Sequence, residues 1–189
     1  MAKHIIFSDA ISLNKIQDLE LDNWIQTTLD QSKKKDEGVI ISNVGGYQTP
    51  SVVDKKITEI FGKYIAEAMK DFTSTNFKYQ MMNLWINENY KYSHNTLHFH
   101  GKSLFSGVYY YKVPENSGDL VFQRNDATAF LCLEDTYKSI ETRTTYIVKP
   151  EPGMLVIFPG TYLHAVSQSM SDEPRVSIAF NFNILESLK

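Results

Sequence analysis

The chain is expected to fold as an α+β protein, mainly β, with its sheets closed into a sandwich or barrel and its helices packed outside. Three observations predict this. Helical periodicity is confined to the first 75 residues. Beyond them the sequence turns to short runs rich in Tyr, Phe, Val and Ile. Those runs are broken at Pro114–Gly118, Pro150–Gly153 and Ser169–Pro174, where turn-forming residues cluster. Helices first and strands afterwards is the pattern of sheets with helices laid against one face.

Taken in order, Leu13, Ile16, Leu19, Trp24, Ile25 and Leu29 give an imperfect amphipathic pattern, predicting a first helix between Ser12 and Lys35. Gly38–Ser42 reads as a short strand and Gly45-Gly46 as a turn. Ile57, Ile60, Phe61, Tyr64, Ile65, Ala68 and Met69 share one face of a second helix, with Pro50-Ser51 ahead of it as a start. Strands are predicted near 77–88, 104–113, 118–123, 128–133, 143–148, 153–158 and 175–184. In the last of these, Val176, Ile178, Phe180, Phe182 and Ile184 alternate with Arg175, Ser177, Ala179, Asn181 and Asn183. The apolar face must meet a core or a helix; the polar face lines a wet pocket only if the sheets close around it.

A length of 189 residues suits one domain, with 1–75 as a helical part and 76–185 as the β core. Such a domain buries roughly 70% of its unfolded surface and needs no covalent staples. A net charge of −3 gives no bulk attraction to nucleic acid. The run Lys33-Lys34-Lys35 meets Asp36-Glu37 at once and reads as a solvated helix end. The single cysteine, Cys132, excludes an internal disulfide and fits a reducing compartment as a small buried hydrophobe. The first residues lack a continuous signal-peptide core, and no apolar run approaches a membrane span. A cytoplasmic protein without membrane or nucleic-acid partners is expected, and a homodimer would be the commonest assembly if it oligomerises.

The chemistry-bearing residues are clustered. Of five histidines, His94, His98 and His100 fall close together. His98 and His100 are two residues apart, so in an extended strand both imidazoles face one way, a usual route to two metal ligands. His164 follows the buried segment Gly153–Pro159 in what reads as a loop. Arg175 and Ser177 then share a face of the last strand, and a guanidinium beside a hydroxyl suits a carboxylate.

Together these residues resemble the 2-oxoglutarate/Fe(II)-dependent oxygenase superfamily, and more narrowly a branch known mainly from bacterial and phage genomes. The resembling segments are Asn95–His100, Ser106–Tyr111, Pro114–Phe122, Pro152–Pro159, His164 and Arg175–Phe182, in order across about residues 83 to 184. The resemblance implies a double-stranded β-helix of the jelly-roll or cupin-like kind, with the N-terminal helices outside. It implies Fe(II), with 2-oxoglutarate as cosubstrate, and hydroxylation of a small molecule or protein side chain with release of succinate and CO2. By position, His98 is the first metal ligand, His164 the distal one, and Arg175, with Ser177, the holder of the cosubstrate's far carboxylate. Asn83, Trp85, Tyr109 and Asn95 are pocket candidates.

One departure stands out: the family usually has a carboxylate where this chain has His100. Either His100 is the third ligand, or a carboxylate such as Asp119 or Glu88 completes the site, or a two-histidine site keeps a position open. Two other readings use the same residues: a cupin-like metal enzyme that does not use 2-oxoglutarate, and a non-catalytic β-sandwich binding module. Loop-like stretches at 123–128 and 135–144, with Arg124 and Arg143, are the places expected to select a substrate.

Overall fold

A computed structural model describes residues 9–73, 76–125 and 144–188. In chain order its elements are β1 (Ser12–Lys15), α1 (Leu19–Lys33), β2 (Asn43–Val44), β3 (Tyr47–Gln48) and α2 (Lys55–Ala68), closed by a 3-10 turn, Met69–Asp71. Then come β4 (Asn76–Asn89), β5 (His94–His98), β6 (Phe105–Lys112), β7 (Leu120–Gln123), β8 (Thr145–Val148), β9 (Met154–Pro159), β10 (Leu163–Val166) and β11 (Arg175–Leu188). Six strands form one sheet in the order β1-β9-β6-β11-β4-β3, and five form a second in the order β2-β5-β10-β7-β8.

The alternation in β11 decides how these layers stack. Val176, Ile178, Phe180 and Phe182 are at most 2% exposed and pack in one core with Leu21, Ile25 and Leu29 of α1 and Ile57, Phe61 and Ile65 of α2. The Phe61 ring sits 4.9 Å from Phe180 and 6.4 Å from Tyr109. Each such buried side chain contributes about 1.5–3 kcal/mol, so this face anchors both helices to the larger sheet. A smaller core of Tyr110, Leu120, Phe122, Val148, Val156 and Phe158 fills the space between the sheets. The polar face of β11 also points into that space, so it lines a cavity.

Each helix starts at an aspartate. Asp18 accepts from the backbone N–H groups of Glu20 and Leu21, and Asp54 from that of Ile57. These bonds satisfy donors that a helix N-terminus otherwise leaves bare. Asp18 also ties the helices together, accepting from Lys63 at 2.9 Å and Tyr64 at 2.6 Å.

Several expectations need correction. Ser12–Lys15 is a strand on the edge of the larger sheet, pairing with Met154–Ile157, and the first helix begins only after Asp18. Its side chains fit a helical pattern, but a free sheet edge and a strong cap override a weak periodicity. Gly38–Ser42 is not a strand; β2 and β3 follow it, joined at Gly45-Gly46, where Gly45 takes φ 71°. The second helix starts at Asp54, not at Pro50-Ser51. His164 lies in strand β10 rather than a loop. The strand expected at 128–133, with Cys132, and the loop residue Arg143 lie outside the described residues.

Candidate metal centre

β5 and β10 are neighbours in the smaller sheet, with His164 registered opposite His98. Their rings are 4.2 Å apart, and His100, just past the end of β5, stands 5.1 Å from each. One nitrogen from each of the three imidazoles lies within 4.8 Å of the other two. His98 Nδ1 is 2.7 Å from the Thr96 carbonyl and His164 Nδ1 is 2.9 Å from the Tyr162 carbonyl. A carbonyl only accepts, so Nδ1 carries the proton in both rings and Nε2 keeps its lone pair for a metal.

Burial sets the charge of this group. Desolvation, reinforced by the neighbouring imidazoles, pushes His164 down to about 3. The same two causes push His100 down to about 4, and desolvation also lowers His98 despite its bond to Thr96. All three rings are therefore neutral near pH 7, the form in which imidazole ligates metal. Phe158 and Phe122 wall His164 at 4.8 and 6.1 Å, an apolar collar that excludes water from one side.

No carboxylate belongs to this group among the described residues. Glu88 is turned elsewhere, accepting from Lys33 and Tyr90, each at 2.6 Å. Asp119 is held through its backbone to Ser167 and lines a separate cleft. Among the residues that the sequence offered as third ligand, the structure brings only His100 to the other two histidines.

The cavity beside the imidazoles continues along β11 to Arg175, which is 1% exposed. Its Nη1 donates to the Gly118 carbonyl at 2.9 Å and its Nη2 to Asn89 Oδ1 at 3.0 Å, while Tyr110 lies under the guanidinium at 5.8 Å. Its Nε–H has no partner among the described residues. Burial pushes its pKa down, yet a guanidinium starts so high that it stays charged. Asn87 Oδ1 and Asn89 Nδ2, in the same lining, are also buried without partners among the described residues. Ser177 lies across from Asn87 in register. A buried cation with an unused N–H, beside a hydroxyl and opposite three neutral nitrogen donors, fits a metal-chelating carboxylate ligand in both charge and donor set.

Of the pocket candidates, Trp85 and Asn95 line the cavity. Trp85 sits 5.9 Å from the His100 ring. Asn83 lies two residues outward from Trp85 on the same side of β4, paired with Asn181. Tyr109 does not face the cavity: it is buried against the helices, and its hydroxyl donates to Asp22 at 3.0 Å. Tyr110 takes the inner place instead: it registers with Ser177, whereas Tyr109 registers with Ile178 on the core side. Asn87 and Asn89 were missed, although they share the parity of Asn83 and Trp85 in the strand predicted at 77–88.

A family model described as "Putative 2OG-Fe(II) oxygenase" matches residues 83–181, more than half of the chain. The chain belongs to this family. The oxygenase is similar in structure to the α-ketoglutarate-dependent epimerase SnoN of nogalamycin biosynthesis (TM-score 0.66, 12% identity, 92% of this chain and 78% of that one). It is similar to HygX of Streptomyces hygroscopicus, solved with nickel, 2-oxoglutarate and hygromycin B (0.61, 11%, 92% and 82%). A third is a Trichoplax adhaerens prolyl hydroxylase in complex with a hypoxia-inducible-factor peptide fragment (0.62, 9%, 93% and 84%). At these identities the likeness establishes the fold, the double-stranded β-helix with helices outside. No curated protein matches the oxygenase in sequence. Family membership makes it an oxidoreductase of the class that uses Fe(II) and 2-oxoglutarate, which overturns the binding-module and keto-acid-independent readings. No helix of the described residues is long and apolar enough to cross a membrane.

Proposed function

We propose that His98, His100 and His164 hold Fe(II), that Arg175 with Ser177 anchors the far carboxylate of 2-oxoglutarate, and that the enzyme hydroxylates its substrate with release of succinate and CO2. The observation that carries this reading is the convergence of three neutral imidazoles and one buried, under-bonded arginine on a single cavity. Iron and 2-oxoglutarate, when bound, supply the oxidising chemistry.

The chain's own residues do the rest. His98, His100 and His164 would hold the metal and leave it room for the keto acid that Arg175 would anchor. Carbonyls 96 and 162 fix two of the rings before metal arrives, so little ordering is needed on binding. With histidine in place of a carboxylate, the ligand set is one unit more positive. Gly118 and Asn89 aim the guanidinium and leave its Nε–H and the remaining Nη hydrogens for the cosubstrate. Phe122 and Phe158 keep the metal side dry.

The substrate, a small molecule or a protein side chain, approaches from the side of Trp85 and His100. Residues 1–189 act as one unit, because α1 and α2 share the core of the larger sheet. The lone cysteine favours the cytoplasm. Oxygen-free titration of the metal-free protein with Fe(II), with and without 2-oxoglutarate, tests the proposal. A weak visible charge-transfer band should form only with both present, and Arg175→Ala should weaken 2-oxoglutarate far more than iron. Iron binding without the band would sink the cosubstrate role.

A further inference from the structure

Across the inner face of the larger sheet, beyond Trp85, runs a line of amides. Ser106 Oγ donates to Asn181 Oδ1 at 2.6 Å, and Asn181 Nδ2 donates to Asn83 Oδ1 at 2.7 Å, which joins β6, β11 and β4. One step further out, Asn183 Oδ1 accepts the Leu104 backbone N–H at 2.7 Å. A backbone N–H can only donate, so it fixes which way the Asn183 amide is turned.

Every amide oxygen in this line therefore already accepts one hydrogen bond from within. The leftover groups are all donors: Asn83 Nδ2, Asn183 Nδ2 and Trp85 Nε1 donate to no described residue. Carboxylates and lysines are missing from the cavity lining among the described residues. Arg175 is the sole arginine, lysine or carboxylate residue lining the cavity among the described residues, and it lies at the inner end. Lys102 is exposed on the loop after His100 and is not part of the lining. Phe99, just before His100, and Leu104, at the end of that loop, are more than half exposed and give the rim an apolar edge.

We infer that the substrate is an uncharged molecule that presents carbonyl oxygens beside the C–H bond to be oxidised, accepted by Asn83 and Asn183, with an apolar part against Trp85. This rests on the oxygenase reading, which places the reacting carbon next to His100 and Trp85. A charged substrate would have to shed its hydration against neutral donors with no counter-charge among the described residues to meet it. A carbonyl gives the free N–H groups the acceptors they lack and brings no donor that would itself go unpaired.

Trp24→Phe leaves Trp85 as the one tryptophan, so its fluorescence reports on the mouth. The full-length protein, with and without Zn(II) and 2-oxoglutarate, is titrated with N-acetylalanine N-methylamide, with its anionic counterpart N-acetylalanine, with its cationic counterpart alanine N-methylamide, and with methyl glucoside as a source of hydroxyls. The neutral diamide is expected to shift Trp85 emission and to bind at least about tenfold more tightly than any of the other three. Asn183→Asp and Asn83→Asp keep the oxygens that accept from Leu104 and Asn181 but replace the free donors by acceptors. Each is expected to weaken the diamide about tenfold without loss of folding. Equal binding of a charged probe, or Asp variants that bind the diamide like wild type, overturns the inference; stronger binding of the glycoside transfers the site to polyols and overturns it too. The Fe(II)/2-oxoglutarate band, recorded on the same variants, separates the failures. An intact band with no amide preference sinks the substrate class alone, whereas a missing wild-type band sinks the oxygenase site.

Discussion

His98 and His164 face each other across an antiparallel pair of strands, their rings 4.2 Å apart, each with Nδ1 held by the carbonyl two residues before it. The two environments are built alike although the strands are far apart in sequence. Each carbonyl fixes the tautomer, so the two Nε2 lone pairs are set by the backbone rather than by the metal.

Substitution of any of the three histidines should therefore act on metal affinity first. His164→Ala is expected to lower Fe(II) affinity by more than the about 10- to 100-fold that loss of an outer-shell partner costs. Calorimetric titration with Fe(II) under argon checks this. His100→Ala should fall in the same range; an unchanged affinity there would return His100 to a lining role.

Arg175 should not tolerate its nearest chemical relative. Lysine carries the charge but cannot bond Gly118 and Asn89 together while leaving a hydrogen for a carboxylate. Arg175→Lys is expected to weaken 2-oxoglutarate by at least about tenfold and to destabilise the protein by about 1–3 kcal/mol, as two buried acceptors lose donors. Equilibrium dialysis with labelled 2-oxoglutarate and urea unfolding measure the two effects separately.

Gly107 sits in β6 directly against Phe180, and a Cβ there would lie 2.3 Å from that ring. Phe180 is locked between Phe61 and Phe182 and has little room to retreat. Gly107→Ala should cost about 1–3 kcal/mol by overpacking, read as a lower urea midpoint with an unchanged slope.

Asp18 gives the protein an acid-sensitive joint. Burial pushes its carboxyl up, but hydrogen bonds from Tyr64, Lys63 and the Leu21 N–H outweigh that and hold it at about 2, below its ordinary 3.8. A carboxyl with a depressed folded pKa stabilises above its unfolded value and loses that contribution as pH falls toward the folded one. The Asp18 contribution should thus be complete above about pH 4 and fade between there and about pH 2. Asp18→Ala is expected to cost about 1 kcal/mol at neutral pH and to flatten this part of the stability profile. Urea melts across that range, on wild type and variant, give the comparison.

Much of the site was legible because it follows two-residue periodicity. His98 and His100, and Arg175 and Ser177, could be assigned to shared faces from spacing alone, and the apolar face of β11 foretold the helix contact. What parity could not supply was register. Tyr110 rather than Tyr109 reaches the cavity wall because it registers with Ser177, and nothing in three consecutive tyrosines marks which one turns inward. Short strands were also opaque. β5 and β10, with five and four residues, carry His98 and His164 but lack a long apolar alternation, because histidines occupy their inner positions. The edge strand Ser12–Lys15 depends on a partner near residue 155, which no local window contains.

β11 also has a temporal consequence. It joins β4 to β6, completes the core under both helices and carries Arg175, yet it is translated after every other described strand. Its partners lie far upstream, and such distant pairings close slowly. Until it emerges, the histidines have no facing wall and the two helices have no floor to rest on. Core and cavity should therefore mature in a single late event.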